Sequence, residues 1–321
     1  MARRTSALLL ATCVLSGYGA GAQADGLKGD ATKPAPGEHR FAIIGHVYAN
    51  GTGDAPLEKA LANTRKSFLA FVVATGIKAG AEPCTDELYV RRRDMLEAAK
   101  RPVVVVPAAA DWKDCRNAAG RPNPIERLNR LREVLYKEPG ALGARPLLLT
   151  RQSTNAKFRS YAENAYWVVD NVLYATVNLP SNNNHYRSEA GRNSEYEDRA
   201  VANRVWLHRL FSQARRKKLT SVVLFSEGKV NILMEEPGLF ARLGRRSVMP
   251  TDGFAPVRKQ ITSLARNYTG KILLIDTAKV PHGTEPAVAW RENVGHVSVG
   301  SRVMHVAVRP GHEPMFEFDE R

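Results

Sequence analysis

Cysteine is scarce in this chain, with three in 321 residues, and the scarcity narrows the chemistry. Cys13 lies in an apolar run from Ala7 to Leu15 that follows Arg3 and Arg4 and precedes the small-residue site Ala22-Gln23-Ala24. That is the pattern of an export leader over residues 1–24, with a mature start near Asp25. Export leaves Cys84 and Cys115, too few for a structural zinc site and an even pair for an oxidising, periplasmic or secreted, setting. The reading is a Cys84–Cys115 disulfide. Beyond the leader, no run approaches the roughly 18 apolar residues of a membrane span.

Other absences exclude whole classes. No Gly-x-Ser-x-Gly occurs, no Gly-x-Gly-x-x-Gly and no P-loop, which removes the signatures of a serine hydrolase, a dinucleotide fold and a P-loop nucleotidase. Acidic residues are in deficit, 32 against 47 Lys and Arg, a formal charge of +15. The leader holds two arginines and no acid, so the mature chain keeps 15 − 2 = +13. Such a chain attracts anions in general. Aromatic residues do not interleave with the basic runs as single-strand nucleic-acid binders require, so no specific nucleic acid is expected.

What is present is alternation. Residues 25–39 carry prolines and glycines without apolar periodicity, a flexible lead-in, and a single domain is expected over 40–321. Phe41-Ala42-Ile43-Ile44, Phe71-Val72-Val73-Ala74 and Val103-Val104-Val105-Val106 are short, β-branched or aromatic runs that read as buried strands. Helical patterns over 57–68 and 87–100 separate them. Alternation of this kind predicts parallel strands with right-handed crossovers, whose exit loops share one edge.

Ligands of open α/β sheets bind at that edge. Further on, residues 124–136, 196–218 and 254–268 read as helices, and 147–149, 222–225 and 271–275 as strands. Residues 167–179 read as a hairpin turning at Asp170-Asn171. The tail, 297–318, alternates as antiparallel strands. The sum is an α/β protein of two mixed sheets flanked by helices. The arginines at 91–93 and at 127, 130 and 132 are expected on solvated helix faces.

Several segments, in this order, resemble the calcineurin-like metallophosphoesterase family, in particular an exported bacterial branch. They are Phe41 to Gly45, FVVATGIKAG at 71–80, Pro107 with Asp111-Trp112-Lys113-Asp114-Cys115, Tyr161-Ala162-Glu163-Asn164, Asn182-Asn183-Asn184 and Asp252-Gly253-Phe254. The resemblance implies a four-layer α/β/β/α sandwich and a phosphoric ester hydrolase working through two divalent metal ions, with ligands drawn from the strand exits.

Those ligands are mostly missing here. His46 stands where the family has aspartate, Gly76 where an aspartate bridges both ions, and Ala109 and Ala110 where aspartate and asparagine belong. No histidine follows the 222–225 strand, only Ser226-Glu227-Gly228, and Asp276-Thr277-Ala278-Lys279 replaces a His-Gly-Asp-x-His turn.

A methyl group cannot ligate a cation, so neither a metal nor another cofactor is expected, and the reading is a pseudoenzyme. Its old pocket would be lined by His46, Lys78, Asp111, Asn183 and Lys279, offering a phosphate or phospho-ligand lysine charge and backbone N–H groups. The alternative is a rewired hydrolase, with His46, Asp111, His185 and Asp276, together with Asp114 and His282, as acid–base or single-metal candidates.

Overall fold

The computed structural model describes residues 34–65, 67–188, 193–234, 251–281 and 283–320. The expected leader, most of the lead-in and His282 lie outside the described residues.

Among the described residues, twelve strands fall into two mixed sheets. In the five-stranded sheet, β1 (His39–Ile44), β2 (Phe71–Thr75) and β3 (Val103–Val106) run parallel, joined through α1 (Ala55–Thr64) and α2 (Asp86–Glu97). Two late strands, β11 (Val303–Val308) and β12 (Phe316–Glu320), extend it antiparallel on the β1 side.

The seven-stranded sheet starts after α3 (Pro124–Leu135) with β4 (Thr150–Arg151), β5 (Ala165–Val169) and β6 (Val172–Thr176), all antiparallel. A one-turn element, α4 (Ser181–Asn184), and the long α5 (Ser194–Arg216) lead to β7 (Ser221–Ser226). Then come α6 (Ala255–Ala265), β8 (Lys271–Asp276), β9 (Ala289–Arg291) and β10 (Val294–Ser298). The strands β6, β7, β8 and β10 are mutually parallel in the order 6-7-8-10. The tail is therefore not wholly antiparallel: β10 pairs parallel with β8 while β9 folds back on β10. A parallel partner needs a crossover, and residues 277–293 supply it with no helix among those described, which is why alternation alone misses it.

Side-chain alternation at period two sorts each strand between two surfaces. Phe41, Phe71, Val73, Tyr174, Phe225 and Ile275 pack between the sheets, while Ala42, Val72 and Val105 face α1–α3 and Leu173, Leu224 and Leu274 face α5 and α6. The result is the four-layer α/β/β/α sandwich. Its middle is aromatic: Phe71 lies 4.7 Å from Tyr174 and 5.1 Å from Trp167, both edge-on, and 5.0 Å from a stacked Phe41. Each such pair is worth about 0.5–1.5 kcal/mol beyond its buried area.

Two expectations about helix faces are corrected. Arg92 is fully buried, pairing with Asp54 and with Glu82 Oε1 at 2.8 Å and donating to the Ile77 carbonyl at 3.0 Å, so it braces the exit of β2. Arg127 and Arg132 are likewise half-buried and paired, the first with Asp86 at 2.8 Å and the second with Glu163 at 2.6 Å. An amphipathic pattern treats every arginine as solvated, and carboxylates on neighbouring elements override it. On α5, Val205 is exposed, and Trp206, Leu207, Leu210 and Phe211 form the buried stripe.

Cys84 and Cys115 form the disulfide, with Cα atoms 5.7 Å apart, joining the loop before α2 to the loop after β3. Among the described residues no helix is long and apolar enough to cross a membrane.

Candidate site at the strand exits

The parallel strands of both sheets deliver their C-terminal ends to one region, and the polar groups there bond mostly to the protein itself. From β2 the chain turns at Gly76, whose φ of +70° is left-handed and suits glycine. A Cβ there would lie 2.8 Å from Cδ2 of His46, 2.9 Å from the Ala108 methyl and 3.0 Å from Nε2 of His46. The imidazole that follows β1 and the methyl that follows β3 thus fill the space into which a side chain at 76 would project.

Asp111 follows β3 in a short 3-10 turn, Ala109–Asp111, and is fully buried. Its Oδ1 accepts from the N–H of Ile77 at 2.9 Å and of Lys78 at 3.2 Å, and its Oδ2 from the N–H of Ala108 at 2.7 Å. One carboxylate so ties the exit of β2 to that of β3. Burial pushes its pKa up, against His46, the N–H donors and Lys78, which favour the charged form.

Lys78 is buried as well. Its Nζ donates to the carbonyls of Ala79 at 2.6 Å and Ala110 at 2.8 Å, and burial lowers its pKa. The ammonium expected to face a phosphate is turned into main chain instead.

Glu227, directly after β7, reaches across to the other sheet. Its Oε2 accepts from the N–H of Ala109 at 2.6 Å and of Ser181 at 2.8 Å, and its Oε1 from the Ser181 hydroxyl at 2.9 Å. The side chain is 4% exposed, and burial pushes its pKa up.

Asp276 ends β8 and also looks inward: Oδ2 lies 2.7 Å from Nε2 of His296 on β10, and Oδ1 accepts from the N–H of Ala278 at 3.0 Å. Ser298, opposite Asp276 in the β8–β10 register, has a buried Oγ with no hydrogen-bond partner among the described residues.

The asparagine run after β6 has a backbone explanation. Asn182, Asn183, Asn184 and His185 all adopt left-handed φ, between 54° and 62°. Among non-glycine residues asparagine tolerates this conformation best, at a cost that is about 1–2 kcal/mol per residue for ordinary side chains. Side-chain bonds hold the turn in place. Asn183 Nδ2 donates to Thr251 O and its Oδ1 accepts from Gly253 N, each at 2.8 Å, while Arg199 Nη2 donates to Asn184 O at 2.9 Å. Asn183 is thus spent on the loop before α6. His185 packs its ring edge-on against the buried Trp112, centroids 4.7 Å apart, and burial lowers its pKa. Trp112 Nε1 has no partner among the described residues.

Of the residues expected at a pocket, the structure brings His46, Lys78 and Asp111 together, with His46 Nε2 3.5 Å from Lys78 O. Asn183 is bound to the loop before α6, Lys279 is exposed beyond β8, and Asp114 is exposed beside Lys113. Glu227 and His296 are participants that the sequence reading passes over. A carboxylate directly after a buried strand was the available signal for Glu227, but attention to histidine ligands hides it. His296 carries only the alternation of Val294 to Ser298.

The two divalent ions implied by the resemblance do not fit this arrangement. The bridging position has no side chain and no room for one, and both oxygens of Asp111 and of Glu227 are taken by N–H and O–H donors. Among the described residues no three His, Cys, Asp or Glu side chains gather as a metal-holding group.

No family model matches the chain, and no curated protein does. Among solved structures it is similar to TT1561 of Thermus thermophilus, at 12% identity and a TM-score of 0.45, over 88% of this chain and 98% of that one. Neither family nor activity follows from a likeness at this level.

Proposed function

We propose that the protein is an exported, non-catalytic relative of the calcineurin-like metallophosphoesterases, one that keeps the sandwich without the dinuclear centre. The observation that carries this reading is Gly76, with the His46 ring and the Ala108 methyl packed where a bridging carboxylate would have to project. Export is supported by the leader-like residues 1–24 and by the Cys84–Cys115 disulfide, a bond that persists in oxidising compartments.

The test is hydrolysis of p-nitrophenyl phosphate and bis-p-nitrophenyl phosphate by the purified protein with added Mn²⁺, Zn²⁺ or Mg²⁺. The expected result is no turnover above a blank. Metal-dependent turnover overturns the reading. Cleavage before Asp25 in an exporting bacterial host, read by N-terminal sequencing, tests the leader.

A second reading, a rewired phosphoric ester hydrolase, is favoured by the Asp276–His296 pair, since a carboxylate holding an imidazole at 2.7 Å is an acid–base unit. It requires metal-independent turnover that His296→Ala abolishes.

A further inference from the structure

Three donors from two sheets converge on one side chain at the strand exits. Ala109 N–H, after β3, and Ser181 N–H, after β6, both bond Oε2 of Glu227 at 2.6 and 2.8 Å, and the Ser181 hydroxyl bonds Oε1 at 2.9 Å. Glu227 and Ala109 are 118 residues apart in sequence, so this is a tertiary arrangement and not a local turn. None of these three donors is a lysine or arginine. Main-chain N–H groups and a hydroxyl carry the carboxylate, as backbone nests carry phosphates and other anions.

We propose that Ala109 and Ser181 form an oxyanion-binding nest that the protein keeps filled with its own Glu227 carboxylate. The ligand class is a small oxyanion, planar like a carboxylate or tetrahedral like inorganic phosphate. The donors belong to main chain and to Ser181, so they stay when Glu227 is shortened. Ser181, His46 and Ala110 are partly exposed, while Glu227 itself is buried. In the wild type an anion enters only by displacing Glu227, which makes the contact an internal competitor that blocks the site. The inference rests on these donors alone and does not need the phosphoesterase reading.

The experiment uses the full mature chain with Glu227→Ala, followed by thermal unfolding in acetate, in inorganic phosphate and in chloride at matched ionic strength. The variant is expected to melt below the wild type and to regain part of the loss saturably with acetate or phosphate. Chloride should do nothing comparable, and the wild type should not respond to any of the three. A response to acetate alone assigns a planar nest, and a response to phosphate a roomier one. Either supports the proposal.

A variant that melts lower yet treats all three anions alike overturns it, as does a wild type with the same oxyanion response as the variant. Should Glu227→Ala be recovered only as aggregate, its refolding yield is read in the same series. Rescue by either oxyanion over chloride supports the nest, and equal yields overturn it. Metal binding or turnover by the wild type would count against the non-catalytic reading and leave this result standing.

Discussion

At the exits of β2 and β3 the buried carboxylate and ammonium are closed by main chain, and Glu227 after β7 is held in much the same way, whereas the exit of β8 ends on a side-chain pair. Asp111 bonds three backbone N–H groups and Lys78 two carbonyls, and His46 covers Gly76. On the other side, Asp276 meets His296, whose side chain is 12% exposed. A group satisfied by main chain has its position fixed by the fold and little capacity left for a ligand. A group satisfied by another side chain keeps a movable proton and a partner that can be replaced. The difference places structural duty at the exits of β2, β3 and β7, and a proton-bearing side-chain pair at the exit of β8.

The sharpest break of this comparison is Asp111→Ala. It strands three N–H groups inside the protein and should cost about 3–5 kcal/mol of unfolding free energy, read by denaturant titration. A loss no larger than that of an exposed acid such as Asp114 would remove the contrast. Next comes the Cys84–Cys115 bond, which pins the loop after β3 to the loop before α2 across a sequence separation of 31. The chain-entropy model gives about 3.5 kcal/mol for a loop of that length. The double alanine variant should lose about that much, and a loss near zero would mean that the exits hold themselves in register without it.

Asp276→Asn is expected to cost less, about 1–2 kcal/mol, because the amide can still accept one bond. If it costs as much as Asp111→Ala, the exits of β3 and β8 are alike.

The smallest effect is in pH. Burial lowers the pKa of His39 and of His185, so each resists protonation in the folded protein more than in the unfolded chain. Their contribution to stability is present above the ordinary histidine value near 6.5 and is lost as pH falls from there toward the lowered folded value. Unfolding free energy should decline over that window, and His185→Gln should flatten part of the decline. A slope of the opposite sign would contradict the assignment of burial as the cause.

The helices, the three parallel first strands and the shared edge were legible because burial imposes local periods of 3.6 and 2 on the sequence. The helices at 55–64 and 255–265 end earlier than apolar periodicity suggests, since Phe68 and Tyr268 continue the pattern from beyond the helix ends. The participants missed at the site are joined over long distances in sequence. Glu227 finds Ala109 and Ser181, Arg92 finds Asp54 and Glu82, and His296 finds Asp276. No local pattern encodes which buried charge answers which, because the answer depends on how the loops fold over one another. The asparagine run was visible as a motif, but its reason, four successive left-handed residues, is conformational and appears only with the backbone.

The central claim is that the strand exits are filled by the protein's own groups, which leave no room to grip a pair of cations. Elemental analysis of the purified chain, after exposure to Mn²⁺ and Zn²⁺ and exhaustive dialysis, tests it most directly. The account predicts far less than one retained metal ion per chain. Two ions per chain, lost together with stability on chelation, would contradict it.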